Sequence, residues 1–166
     1  MRVLVTGGKG FLGAWIVRGL LARDIDVRIF DVNDDRRLIA TIAGRDTALD
    51  WRIGDIVSGD SVLNAAEGCD AIIHLAGVLT PDCAADPVRG AQINLIGTLN
   101  VFEAARKLGI ARIVYTSSAS VFGQRDGRLP QPQSHYGAFK LACEGGARAY
   151  WNDHRIASVG FRPYIV

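Results

Sequence analysis

A glycine-punctuated turn near the start of the chain restricts the possible folds more than any other feature. Arg2-Val3-Leu4-Val5 is a short apolar run with β-branched residues and reads as a buried strand. Thr6-Gly7-Gly8-Lys9-Gly10-Phe11-Leu12-Gly13 follows at once, and Ala14 to Ala22 reads as a helix. Gly7, Gly10 and Gly13 are spaced G-x-x-G-x-x-G. Gly7 allows a tight strand-to-helix turn, Gly10 lets a pyrophosphate approach the backbone, and Gly13 lets helix and sheet pack closely. The helix N-terminus adds free N–H groups and the positive end of a dipole.

A carboxylate stands at the matching distance. Val27-Arg28-Ile29-Phe30 reads as a second strand, and Asp31 at its end lies 18 residues past Gly13. A carboxylate there accepts hydrogen bonds from an adenosine ribose and repels a 2′-phosphate, which favours NAD over NADP. Arg36 and Arg37 are the opposing signal; we read them as a solvated helix start.

Strands and helices alternate along the rest of the chain. Arg36–Ala43 reads as a helix, Ala48–Arg52 as a weak third strand, and Ser61–Glu67 as a short helix. Ala71–Leu75 is a fourth strand, followed by a loop around Pro81 and Pro87 and a long helix from Gln92 to Leu108. Arg112–Thr116 is a fifth strand, and a Gly-, Pro- and Gln-rich loop runs from Gly123 to Ser134. His135–His154 is a helix and Ala157–Phe161 a sixth strand. The alternation predicts one α/β domain over residues 1–166, a doubly wound parallel sheet with its ligand crevice at the carboxyl ends of the strands. Gly7, Asp31, Asp55, Ala76 and Ser118 all fall at such ends.

Tyr136 and Lys140 are four residues apart in the last helix, so they share a face. An ammonium beside a phenol favours the phenolate, and a tyrosine so tuned exchanges a proton with an alcohol near neutral pH. The Ser118 hydroxyl could hold the same substrate oxygen.

Composition removes several other classes. The net charge is +2 with no basic stripe, and aromatic residues are not interleaved with basic ones, which argues against nucleic acid as a partner. No apolar run approaches the roughly 18 residues of a membrane span, and the N-terminus enters a strand directly, with no secretory signal. Cys69, Cys83 and Cys143 are odd in number and show no zinc spacing, so no metal site is expected and a reducing, cytoplasmic compartment is.

Together these segments resemble the short-chain dehydrogenase/reductase superfamily, and within it the extended branch, the NAD-dependent epimerase/dehydratase family. The resemblance rests on Thr6–Gly13, Gly54-Asp55-Ile56, His74-Leu75-Ala76-Gly77, Asn94-Leu95-Ile96-Gly97-Thr98, Ser117–Gly123, Tyr136-x-x-x-Lys140 and Arg162-Pro163, in family order. It implies that Tyr136 is the general acid or base and that Lys140 tunes it and holds the nicotinamide ribose. It implies further that Ser118 positions the reacting group and that Asn94 completes the catalytic set. Gly7, Gly10, Phe11, Leu12, Gly13, Asp31, Asp55, Ile56, Leu75, Ala76 and Gly77 would line the dinucleotide, joined by Tyr136 and Lys140. A packing role stays open for Asn94, and His74 reads as a core histidine. His135 reads as a helix-start residue.

The implied reaction is epimerisation or dehydration of a sugar or nucleotide sugar. The alternatives are a dehydrogenase or reductase of a sugar acid, aldehyde or other hydroxy or keto compound, and a dinucleotide-binding sensor without turnover. Family members continue past the Arg162-Pro163 pair with a final strand and a smaller C-terminal substrate domain, so the resemblance implies a dinucleotide-binding domain truncated at its C-terminus. The loop between Gly123 and Tyr136 is short and basic-to-neutral where many relatives carry a longer acidic stretch. Relatives often dimerise through helices equivalent to 92–108 and 135–154, so a homodimer is a further expectation.

Overall fold

The computed structural model describes residues 1–44, 49–123 and 129–164. Six strands form one parallel sheet: β1 (Arg2–Thr6), β2 (Asp26–Asp31), β3 (Asp50–Ile53), β4 (Ala71–His74), β5 (Arg112–Thr116) and β6 (Ala157–Phe161), in spatial order β3-β2-β1-β4-β5-β6. The order reverses between β1 and β4, where Thr6 pairs with His74 and the two strand ends diverge into a crevice. Strand period two sorts the core. Val3, Val5, Val27 and Ile29 face α1 (Phe11–Leu21) and α2 (Arg37–Ala43), whereas Leu4, Phe30, Ile72 and Ile113 face the opposite layer. That layer contains α3 (Gly59–Ala66) and the two helices that frame the site.

The long predicted helix from Gln92 is interrupted. Gln92–Ile96 is a π-helical turn, and α6 proper spans Gly97–Leu108. The predicted loop before it is also helical: α4 (Thr80–Ala85) and α5 (Pro87–Ala91) each start with a proline in the first turn, where a missing N–H costs nothing. Proline was thus a start signal, not a breaker. The third strand lies at Asp50–Ile53, shifted toward the C-terminus from the expected span; Ala48 is outside the described residues.

The last helix, α7 (His135–His154), starts where expected because the Ser134 hydroxyl accepts the Gly137 N–H at 3.1 Å. A Cβ at Gly137 would collide with the Ser120 carbonyl, so only glycine lets α7 rest on the short 3-10 turn Ala119–Val121 that follows β5. Val101 and Phe102 of α6 are fully buried against the sheet, with Phe102 stacked on Tyr150 at 4.9 Å.

Candidate active site

At the dinucleotide end, the glycine turn has the geometry its spacing implies. Gly7 has φ +69°, its N–H donates to the Phe30 carbonyl at 2.9 Å, and a Cβ there would stand 2.7 Å from the Ala76 nitrogen. A Cβ at Gly13 would stand 2.6 Å from the Gly7 carbonyl oxygen, so α1 approaches the turn as closely as backbone permits. Gly10 precedes α1 as its first cap. The result is a strip of closely approached backbone at a helix N-terminus, with no Cβ at Gly7, Gly10 or Gly13, which fits a pyrophosphate.

Asp31 ends β2, and its carboxylate accepts the backbone N–H groups of Lys9 (3.1 Å) and Val32 (2.8 Å). The Lys9 ammonium lies 3.7 Å from Asp31 Oδ1 and donates to Asn33 at 3.0 Å. Lys9 is therefore a cation beside the Asp31 carboxylate, a placement that residue spacing did not reveal. Arg36 and Arg37 are engaged elsewhere: the Arg36 guanidinium sits 5.2 Å from the centre of the Trp51 ring, and Arg37 forms a two-pronged pair with Asp35. Asp55 receives the Val57 N–H at 3.0 Å and Arg89 at 2.9 Å, which hold its carboxyl below the usual range. Ile56 packs on the α6 glycine, Gly97. The N–H groups of Leu75 and Ala76 both reach the Thr6 hydroxyl at 3.3 Å, which shapes the wall across from the glycine turn.

At the chemical end, Ser118, Tyr136, Lys140 and Asn94 line one cleft of about 630 Å³ together with Gly7, Gly10, Phe11, Leu12, Gly13, Leu75 and Gly77. A smaller hollow of about 270 Å³ between α7 and β6 contains none of these groups. Ser118 has extended backbone, and its Oγ accepts the Ser120 N–H at 3.1 Å. Lys140 is buried and donates to the Thr116 carbonyl at 2.9 Å, with its ammonium 5.7 Å from the Tyr136 ring centre.

This arrangement corrects one expectation. The Tyr136 pKa is raised, not lowered: burial of the phenol dominates, and hydrogen bonding to Ser118 opposes it only in part. Burial also lowers the Lys140 pKa. The i, i+4 spacing puts the two side chains on one face, but the ammonium is bonded to the Thr116 carbonyl, and desolvation is the leading influence on each group.

Asn94 sits in the π turn and is fully buried. Its amide nitrogen donates to the carbonyls of Val78 (3.1 Å) and Gly90 (3.2 Å), so half of the side chain does packing work. Its Oδ1 has no partner, and a Cβ on Gly77 would stand 2.6 Å from it and 3.7 Å from the Lys140 ammonium. An orphaned buried acceptor at the cleft is a binding opportunity, since leaving it unpaired is costly. The Asn94 backbone carbonyl is occupied by Thr98 Oγ1 at 2.6 Å and the Cys143 thiol at 3.2 Å.

His74 is a core residue, as expected. Its Nδ1 pairs with the Thr6 hydroxyl at 2.7 Å and its Nε2 with Thr98 at 3.0 Å. Because Thr98 gives its proton to the Asn94 carbonyl, it can only accept from His74, which assigns the Nε2–H tautomer. The three cysteines are free and buried. Among the described residues no group of His, Cys, Asp or Glu could hold a metal ion, and no helix is long and apolar enough to cross a membrane.

A doubly wound sheet whose switch point joins a glycine cradle to a Ser, Tyr and Lys set defines the dinucleotide-binding class of short-chain dehydrogenases and reductases. Within it, the chain belongs to the NAD dependent epimerase/dehydratase family, whose model matches residues 3–166. It is 36% identical over 160 residues to a UDP-glucose 4-epimerase of Oryza sativa subsp. japonica, covering 86% of this chain and 42% of that protein. It is 34% identical to a 2-alkyl-3-oxoalkanoate reductase of Stenotrophomonas maltophilia, covering 100% of this chain and 51% of the relative. Among solved structures, it resembles a Thermus thermophilus UDP-glucose 4-epimerase in complex with NAD, with TM-score 0.85 and 30% identity over 98% of this chain and 54% of that one. The chain spans about half the length of the curated relatives it matches.

Proposed function

We propose that this chain is the dinucleotide-binding half of an NAD-dependent enzyme that oxidises a hydroxyl of a sugar or nucleotide sugar transiently, as an epimerase or dehydratase does. The observation that carries the reading is the convergence of Ser118, Tyr136 and Lys140 on the cleft that also contains the glycine cradle. The cradle and Asp31 would hold the pyrophosphate and adenosine ribose, Asp55 and Ile56 the adenine, and Lys140 with Tyr136 the nicotinamide ribose. When bound, the dinucleotide supplies a hydride acceptor and, in its oxidised form, a positively charged ring. Tyr136 takes the substrate alcohol's proton at its phenol oxygen and later returns it, while Ser118 orients the reacting oxygen. Burial holds the proton on Tyr136, and the hydrogen bond with Ser118 is the contribution of this chain that favours its release.

Asp31 supports NAD over NADP, with Lys9 reducing the margin by partly neutralising the carboxylate. The three unpaired thiols support a reducing compartment, in keeping with a cytoplasmic enzyme. The test uses NAD with UDP-glucose. Tyr136→Phe should lower turnover about 10²–10⁴-fold, roughly 3–5 kcal/mol of barrier, with NAD affinity retained. Near-normal turnover in the variant removes Tyr136 from the mechanism.

A second reading is a dehydrogenase or reductase of a less polar hydroxy or keto compound. It is favoured by the wall beyond Tyr136, where Val78, Leu79, Pro81 and Tyr164 line the cleft, and Lys140 is the one formally charged side chain among the described lining residues. Net NADH accumulation with substrate separates the two readings, since an epimerase returns its cofactor unchanged.

A further inference from the structure

Ser118 faces the cleft from a segment whose other side is tied down by a charged cluster. In extended chain, neighbouring side chains point to opposite sides; Ser117 also borders the cleft, but its hydroxyl turns to α7. There its hydroxyl donates to Glu144 Oε1 at 2.5 Å. The same carboxylate receives both arms of Arg162, Nε at 2.7 Å and Nη2 at 2.6 Å. The guanidinium also sits 4.6 Å from the centre of the Phe122 ring, just beyond the 3-10 turn. The backbone adds two more ties on either side of Ser118: the Ser117 N–H reaches the Phe161 carbonyl at 2.6 Å and the Ala119 N–H the Pro163 carbonyl at 3.0 Å. Glu144 lies one helical turn beyond Lys140, so the helix that carries the phenol and the amine also holds the loop that carries the hydroxyl.

We propose that Glu144, braced by Arg162, is a positioning residue that acts through Ser117 to fix the Ser118 hydroxyl against Tyr136. The cluster gives Arg162, which the reading of the site left without a task, a place in it. Charge-assisted hydrogen bonds suit this work because they are short and directional. The inference rests on the proposed roles of Ser118 and Tyr136, and its test keeps the two apart.

The readout is the pH titration of the Tyr136 ring carbon Cζ, followed by carbon-13 NMR in the NAD-free chain and assigned with Tyr136→Phe; it needs no substrate. Ser118→Ala removes a hydrogen bond that favours the phenolate and should move the Tyr136 midpoint upward. Ser117→Ala, a gentle change, should move it in the same direction, and so should Glu144→Gln. For Glu144→Gln the direction is diagnostic, because simple loss of a negative charge would move the midpoint down. In the Ser118→Ala background, Ser117→Ala should add no further shift. A Tyr136 midpoint that stays put in Ser117→Ala and Glu144→Gln, or shifts that add to that of Ser118→Ala, overturns the positioning role. An unmoved midpoint in Ser118→Ala itself overturns the shared reading of the site, and this inference with it.

Discussion

Tyr136 and His74 show that desolvation is the dominant residue-scale force in this site. The Tyr136 phenol is held above its ordinary pKa by burial, so in the free enzyme the basic form accumulates only as the pH rises. Hence kcat/KM for alcohol oxidation should climb as the pH is raised into the alkaline range. A flat profile there would show that another group supplies the base. His74 is the opposite case. Burial pushes its pKa down to about 3, with Lys140 adding to the effect, and Thr6 and Thr98 satisfy the neutral ring. His74→Leu would leave the Thr6 hydroxyl proton without its acceptor, at about 1–3 kcal/mol for a buried group left unpaired, whereas Thr98 keeps its bond to the Asn94 carbonyl. A denaturant midpoint unchanged from the parent chain would refute that cost. The buried Arg28 belongs to the same scale: it is neutralised by Asp50 at 2.7 Å and donates to the carbonyls of Ala65 and Glu67, partners that no local pattern announces.

Among the elements, the glycine turn and α7 position the two halves of the site, and each depends on one close approach. At Gly13 the nearest atoms to an added Cβ are backbone, the Gly7 carbonyl oxygen at 2.6 Å and the Gly8 Cα at 2.7 Å. Backbone cannot rotate aside as a side chain can. Gly13→Ala should therefore displace the turn, cost about 1–3 kcal/mol of stability, and weaken NAD binding measured by calorimetry. Unaltered NAD affinity would mean that the turn is not the pyrophosphate cradle. Ser134 starts α7 and thereby sets the angular position of Tyr136 and Lys140. Its replacement by alanine should cost about 1 kcal/mol in thermal or chemical unfolding. The π turn at Gln92–Ile96 does the equivalent work on the facing helix: the extra residue in the turn turns Asn94 inward, where its amide fastens α4 and α5 and its free oxygen borders Gly77.

Over the whole molecule, the pH dependence of stability has a definite sign. Between pH 6.5, the ordinary histidine value, and about 3, the unfolded chain binds a proton at His74 that the folded chain refuses. Stability from this residue is complete above the upper value and is lost progressively as the pH falls toward the lower one. Unfolding free energies measured across that window should fall with acid, and the slope should diminish in His74→Leu; equal slopes in the two proteins would contradict the assignment. The order of the six strands and the strand–turn–helix at Gly7–Gly13 were legible in the sequence, because period-two patterning and turn chemistry are local properties, and i, i+4 spacing put Tyr136 and Lys140 on one face. Asn94 was pointed to only by the family resemblance, and the helices at Thr80–Ala85 and Pro87–Ala91 were hidden by their prolines. The tertiary structure alone decided the direction of the Tyr136 shift, the carbonyl that takes up Lys140, the placement of Lys9 beside Asp31, and the Glu144–Arg162 tie behind Ser118. Each of these depends on how closely residues far apart in the chain approach and how much water their approach expels, and neither quantity is encoded in any single stretch of residues.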